Sequence, residues 1–157
     1  MNIYEILRAR GYTTVPESFY TYIENWQSWY DGYVKAFHRY TVNNGMKTVS
    51  CRRYSLGMAK KVCEDWANLL MNEKVQITLE GKKEQAFIDD VFRRNNFTVK
   101  INEMQELKAA RGTTAYVPTV SNVQVDEHTG TVTGTDGEIR IDYVPADLIL
   151  PLTWEHG

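Results

Sequence analysis

Residues 55–75 read SLGMAKKVCEDWANLLMNEKV, and they hold the clearest helical period in the chain. Leu56, Ala59, Val62, Cys63, Trp66, Leu69 and Leu70 recur at three- and four-residue steps and share one face. Lys60, Lys61, Glu64, Asp65 and Asn68 fill the other face. Leu, Ala, Lys, Glu and Met are good helix formers, so propensity and pattern agree. Ser55 is placed to cap free backbone N–H groups at the start. Beyond Asn72, Val75, Ile77 and Leu79 alternate, which predicts a strand. A core helix feeding a strand is the expected centre of the fold.

On the N-terminal side, Ile3, Ile6 and Leu7 have helical spacing and Gly11 is a plausible stop. Thr14 stands three residues before Glu17 in capping-box form, and Pro16 is tolerated in a first turn. Phe19, Ile23, Trp26 and Tyr30 then predict a helix that ends at Asp31-Gly32. Strands are expected near Val34–Tyr40 and Lys47–Arg52, around the turn Asn43-Asn44-Gly45. On the C-terminal side, Phe87, Ile88, Val91 and Phe92 mark a helix opened by Gly81-Lys82 and closed by Asn95-Asn96. Phe97, Ile101, Met104 and Leu107 mark another, stopped by Gly112.

From Thr113 the texture changes. Short strands are expected at Thr114–Val120, Val123–Val125, Thr131–Thr133 and Glu138–Tyr143. Thr129-Gly130 reads as a turn, and Asp136-Gly137 as a hairpin turn. The fold class is α+β: N-terminal helices followed by a small antiparallel β part. Residues 1–112 form a mainly helical part with one or two short strands. Residues 113–157 form the antiparallel β part, and the two are expected to make one structural unit.

The chain has 157 residues, 43% of them hydrophobic and 24% charged, with a formal net charge of −2. That is ordinary for a globular domain, and nothing global draws it to nucleic acid or to a membrane. The charge is unevenly spread. Residues 51–111 hold twelve Lys/Arg against nine Asp/Glu, whereas residues 112–157 hold one against seven. No apolar run approaches the length of a membrane span, and Met1 to Arg10 is too polar for a signal sequence. Cys51 and Cys63 fit no metal or redox spacing, and a reducing compartment is expected.

Signals for chemistry are missing. His38, His128 and His156 are scattered, with no HxH or HExxH pattern for zinc. Glu64-Asp65 and Asp89-Asp90 are adjacent helix residues that point about 100° apart and do not converge on one atom. No GxSxG, phosphate loop or GxGxxG occurs. No enzyme and no cofactor are expected.

Two sets of residues instead suggest contact surfaces. Eleven of the nineteen aromatics fall in the first forty residues. One helix has one buried stripe, so Tyr20, Tyr22 and Trp29, lying partly off it, are candidate subunit contacts. Arg52, Arg53, Lys60, Lys61, Arg93 and Arg94 are candidate nucleic-acid contacts if they share a face.

Two blocks carry a resemblance. Residues 26–38 (WQSWYDGYVKAFH) with residues 55–75, and residues 109–120 (AARGTTAYVPTV) with residues 137–157 (GEIRIDYVPADLILPLTWEHG), resemble the N-terminal region of portal proteins. These are also called minor capsid proteins, of long-tailed double-stranded DNA phages and prophages of Gram-positive bacteria. The resemblance implies a non-enzymatic virion protein, part of the outer wing of a homo-oligomeric ring at one capsid vertex. Its implied partners are other portal subunits, capsid protein, terminase and tail proteins, with DNA passing through unspecifically and no membrane. Family members continue into stem and clip regions, so the resemblance also implies a fragment of a longer subunit. The alternative is a small nucleic-acid-binding module using the basic middle and exposed aromatics for stacking.

Overall fold

The computed structural model describes residues 3–72, 75–126, 128–133 and 137–152. Among the described residues, six helices and three two-stranded antiparallel ladders follow one another. The helices are α1 (Ile3–Ala9), α2 (Ser18–Tyr30), α3 (Lys35–His38), α4 (Met58–Leu70), α5 (Lys82–Arg94) and α6 (Phe97–Arg111). Between α3 and α4 runs the hairpin of β1 (Arg39–Asn43) and β2 (Thr48–Arg52). After α6 come β3 (Thr114–Ser121), β4 (Gln124–Val125), β5 (Val132–Thr133) and β6 (Glu138–Pro145), then a 3₁₀ turn at Ala146–Leu148. This is the α+β order expected from the sequence.

The organising element is α6, not the 55–75 stretch. α2, α4, α5, β3 and β6 all pack against it. Each of several neighbours is also tied to a polar side chain of α6. Asn102 Nδ2 donates to Asn68 Oδ1 (3.0 Å) and to the Met71 carbonyl (3.2 Å). Glu106 accepts the Tyr30 hydroxyl proton. Arg111 Nε donates to Gln27 Oε1 (2.5 Å) while its Nη1 meets Asp147 (2.6 Å). Gly112 then ends the helix at φ 87°, a conformation that glycine adopts freely, and the Trp26 ring lies against it where a Cβ would stand at 3.3 Å.

The helix over 55–75 starts later and faces the other way. Ser55 Oγ accepts from the Gly57 N–H (3.2 Å), and α4 begins at Met58 behind Gly57 in the left-handed region. The surface that α4 buries is made of small residues: Ala67 is fully buried and Cys63 half-buried. Of its predicted apolar face only Cys63 turns inward; the bulky residues point to solvent, with Trp66 55% and Leu69 67% exposed. Small residues let α4 approach α6 closely, and that leaves the bulky stripe outside.

Other expectations are corrected in the same way. The predicted strand at 75–79 makes no ladder; Glu73 and Lys74 lie outside the described residues. Instead the Gln85 amide of α5 receives the Leu79 N–H (2.7 Å) and donates to the Ile77 carbonyl (3.2 Å). The Thr14 capping box does not form, and Thr14 Oγ1 is buried without a hydrogen-bond partner. Burial of Val15 fixes the approach to α2, which begins four residues after Thr14. Residues 35–38 make a helical turn in place of the expected strand. His38 is buried against Trp29, Tyr33 and Phe37, and its Nδ1 lies 2.9 Å from the Val34 backbone nitrogen.

The β part is a long ribbon with a small hairpin at its far end. β3 and β6 pair from Thr114↔Pro145 to Ser121↔Glu138. β4 and β5 pair through the Thr129-Gly130 turn, so β5 does not pair with β6 as an Asp136-Gly137 hairpin requires. Asp136 itself, and Trp154 to Gly157, lie outside the described residues. The ribbon is held to the helices by Asn95. Its Nδ2 donates to the Ile139 carbonyl (2.9 Å), and its Oδ1 accepts from the Ile141 N–H (2.9 Å).

Two tests follow from this packing. Asn95→Ala strips two half-buried backbone groups of their partner and should cost about 2 kcal/mol. Asn95→Asp keeps the acceptor and should cost less; equal urea midpoints for the wild type and Asn95→Ala would remove the clamp from the account. The second test concerns alkali. Burial, then the neighbouring Tyr4, pushes the Tyr20 hydroxyl up to about 12 from an ordinary 10.0. Burial, then Glu106, raises Tyr30 as well. A raised folded value means the contribution is complete below the unfolded value and is lost as pH climbs through the folded one. The urea midpoint should therefore fall between pH 10 and 12, and Tyr20→Phe should flatten that fall.

Candidate functional site

The exposed surfaces are the candidates, because the buried core is small. Among the described residues the buried apolar side chains are Val15, Ile23, Ala67, Val91, Met104 and Ala146. The chain exposes 12526 Å². A monomeric globule of its mass exposes about 8,100 Å² by the general scaling of area with mass. Half as much surface again is left open, and much of it is apolar.

Three features of that surface stand out. The first is the outer stripe of α4, where Met58, Val62, Trp66 and Leu69 succeed one another on consecutive turns, all exposed. The second is an aromatic band along α2. Tyr22, 57% exposed, stacks on Trp26 at 6.3 Å between centroids. Trp26 was expected on the buried stripe, yet it is 43% exposed, because Ile23 alone points fully into the small core. Trp29, 45% exposed, leans on Phe37 at 5.3 Å. Tyr20 is turned inward: half-buried, it donates its hydroxyl to the Ile149 carbonyl at 2.7 Å. Of the three candidate contacts, Tyr22 and Trp29 are on the surface and Tyr20 closes α2 onto the C-terminal segment.

The third feature is an open groove of about 730 Å³ between segment 75–78 and the α5–α6 junction. Phe92 and Phe97, stacked at 4.0 Å, form its apolar wall. Sequence reasoning missed this groove because it read 75–79 as a paired strand. The signal was there in Gln85, a polar residue beside the apolar face of α5.

The six candidate cations sit on different elements, and each is engaged within the chain. Arg52 lies over the Tyr33 ring (5.3 Å), and Arg53 over Phe37 (5.0 Å) and Tyr40 (4.5 Å). Lys60 pairs with Glu64 at 3.8 Å and covers Tyr30, and Lys61 pairs with Asp65 at 2.7 Å. Arg93 and Arg94 both hold Asp90, and Arg94, then Arg93, keep that carboxyl below its ordinary range. Arg52 and Arg53 share the hairpin, Lys60 and Lys61 share α4, and Arg93 and Arg94 share the end of α5.

Both cysteines are free thiols, and burial, with Glu106 and Glu64 nearby, raises Cys63. Among the described residues no group of His, Cys, Asp and Glu is arranged to hold a metal ion. No helix of the described residues is long and apolar enough to cross a membrane. The surface offers packing area and backbone edges, which are the means of assembling with other chains.

The family model described as "Phage portal protein, SPP1 Gp6-like" matches residues 13–155. No curated protein and no solved structure matches the chain. Only the first twelve and last two residues fall outside that match, so this chain belongs to the SPP1 Gp6-like phage portal protein family, whose role is structural.

Proposed function

We propose that this chain forms the wing of a portal ring at one capsid vertex, the opening through which DNA is packaged and later ejected. The observation that carries the reading is the outward apolar stripe of α4. Its helix is strongly amphipathic, and Val62, Trp66 and Leu69 face solvent. An apolar face of that kind is stable in water only when something covers it. In a portal ring the cover is a neighbouring subunit or the capsid shell around it. The aromatic band with Tyr22 and Trp29 adds the side chains that dominate interface energetics. Terminase and tail proteins are partners of the assembled ring, and DNA passes through it without sequence-specific contact.

The reading as a nucleic-acid-binding module has less support. Each of its six cations is already paired with a carboxylate or covers a ring within the chain. Duplex or single-strand binding that weakens steeply with added salt would revive it.

An antibody raised against the chain should label one vertex of capsids produced by the cell that encodes it. Label spread over the shell, or absent from particles, would reject the wing assignment. Tyr22→Ser should leave folding stability within about 0.5 kcal/mol, since the side chain is exposed. The same change should lower the amount of the chain in purified particles, read by quantitative mass spectrometry. Unchanged incorporation would take Tyr22 out of the contact.

A further inference from the structure

We propose that β2 of one copy adds as a strand to residues 76–78 of the next, so that copies join head to tail through backbone hydrogen bonds. The proposal rests on the homo-oligomer implied by portal membership and names the contact that builds it.

The acceptor is a prepared edge. Residues 75–79 belong to no helix or ladder, and Val75, Ile77 and Leu79 are exposed and apolar. One side of the segment is closed by the Gln85 amide, which binds Ile77 C=O and Leu79 N–H as a neighbouring strand would. On the other side, the backbone groups of Gln76 and Thr78 have no hydrogen-bond partner among the described residues. An apolar edge of this kind is a template for pairing with another chain.

The donor is the hairpin. A two-stranded hairpin alone is marginal in water, and here β1 is exposed throughout and β2 nearly so. No other described strand pairs with the hairpin, so the outer edge of β2 is open. Two bonds fix which groups point outward: Asn44 N–H to Lys47 C=O (3.2 Å) and Arg53 N–H to His38 C=O (2.8 Å). Together with the Tyr40↔Cys51 and Val42↔Val49 register, they turn Thr48, Ser50 and Arg52 outward.

The two edges match in phase. Outward groups sit on even-numbered residues in both segments, so Ser50 opposite Thr78 brings Cys51 opposite Ile77 and Val49 opposite Leu79. Apolar side chains then meet on one face, over the groove walled by Phe92 and Phe97. A one-residue slip would break both the bonding and the apolar match. The charges agree as well. The hairpin carries Arg39, Lys47, Arg52 and Arg53 and no carboxylate. The groove presents the Asp89 carboxylate, while its cation, Arg93, is held by Asp90.

The other candidate edge is blocked. On β6, Ile139 and Ile141 turn their outer groups to Asn95, so Pro118, opposite Ile141, puts its missing N–H on the outer edge of β3. Proline on an outer edge stops further pairing. Because donor and acceptor are different surfaces, each copy uses one of each, and the contact closes into a ring or continues. A standard interface takes about 800 Å² from each partner, and the excess surface of this chain accommodates two.

Cross-linking tests the register in the full chain. Ile77→Cys with Cys63→Ala places a thiol opposite the native Cys51, in a non-hydrogen-bonded pair where side chains come closest. Oxidation should give covalent multimers on a non-reducing gel, and Cys51→Ser should abolish them. No multimers, or multimers that survive Cys51→Ser, would overturn the proposal. A second variant, Thr78→Pro, removes an N–H that has no partner among the described residues. It should fold with an unchanged circular dichroism spectrum and shift the solution mass to monomer. A wild-type chain that is already monomeric, or a Thr78→Pro chain that keeps the wild-type mass, would also overturn it. Vertex labelling is independent of both results, so failure here leaves the wing reading standing.

Discussion

The fold depends on α6 being satisfied on several sides at once. A helix normally buries one stripe, but this one meets α2, α4, α5 and the β3–β6 ribbon. Its half-buried polar side chains are therefore not surface residues that happen to be covered. Asn102, Glu106 and Arg111 each reach a different neighbour, and each bond fixes the rotation of the helix as well as its contact. Half-buried groups of this kind cost free energy unless partnered, so the polar set selects one arrangement of neighbours out of the many that apolar contact alone would permit. The Gly112 stop completes the constraint by letting Trp26 of α2 lie against the chain as it leaves the helix.

Two side-chain amides do the work of missing strands. Asn95 bonds a carbonyl and an N–H two residues apart on β6, and Gln85 does the same on segment 75–79. A primary amide carries the same donor and acceptor as a peptide group, so it closes one rung of an edge without adding a strand. On β6 the substitution ties sheet to helix. On 75–79 it bonds one side of a short segment while the opposite side is open among the described residues. Pro118 gives β3 the opposite treatment and ends pairing there. The edges of this small fold thus differ in kind, and the difference is written in single residues.

Most elements were legible in the sequence, because their signals are local. α5 and α6 stand where periodicity and the Asn95-Asn96 and Gly112 signals put them, and the hairpin turns at Asn44-Gly45. What was not legible is which face of each element is covered. Val62, Trp66 and Leu69 form as clear an apolar stripe as a core helix shows, yet Ala67 and Cys63 make the contact within the chain. Periodicity reports that a face must be covered and says nothing of whether the cover is the same molecule. The same limit produced the strand expected at 75–79: alternation was read correctly, and the partner was assumed. The candidate contact residues were legible as residue types. Their placement, with Tyr20 inward and Tyr22 outward on one helix, depends on the C-terminal segment reaching back to Ile149.

The central position of α6 has a consequence for synthesis. Chains emerge from the ribosome N-terminus first. α2, α4 and α5 leave before the helix they pack on, and β6, which Asn95 grips, leaves later still. Until α6 has emerged the growing chain has helices with apolar faces and no centre to gather round. Contacts such as Tyr30 with Glu106 and Gln27 with Arg111 span long stretches of chain and close only once α6 has emerged. Packing of these helices therefore waits for α6, and until then the apolar faces of α2, α4 and α5 stay uncovered by it.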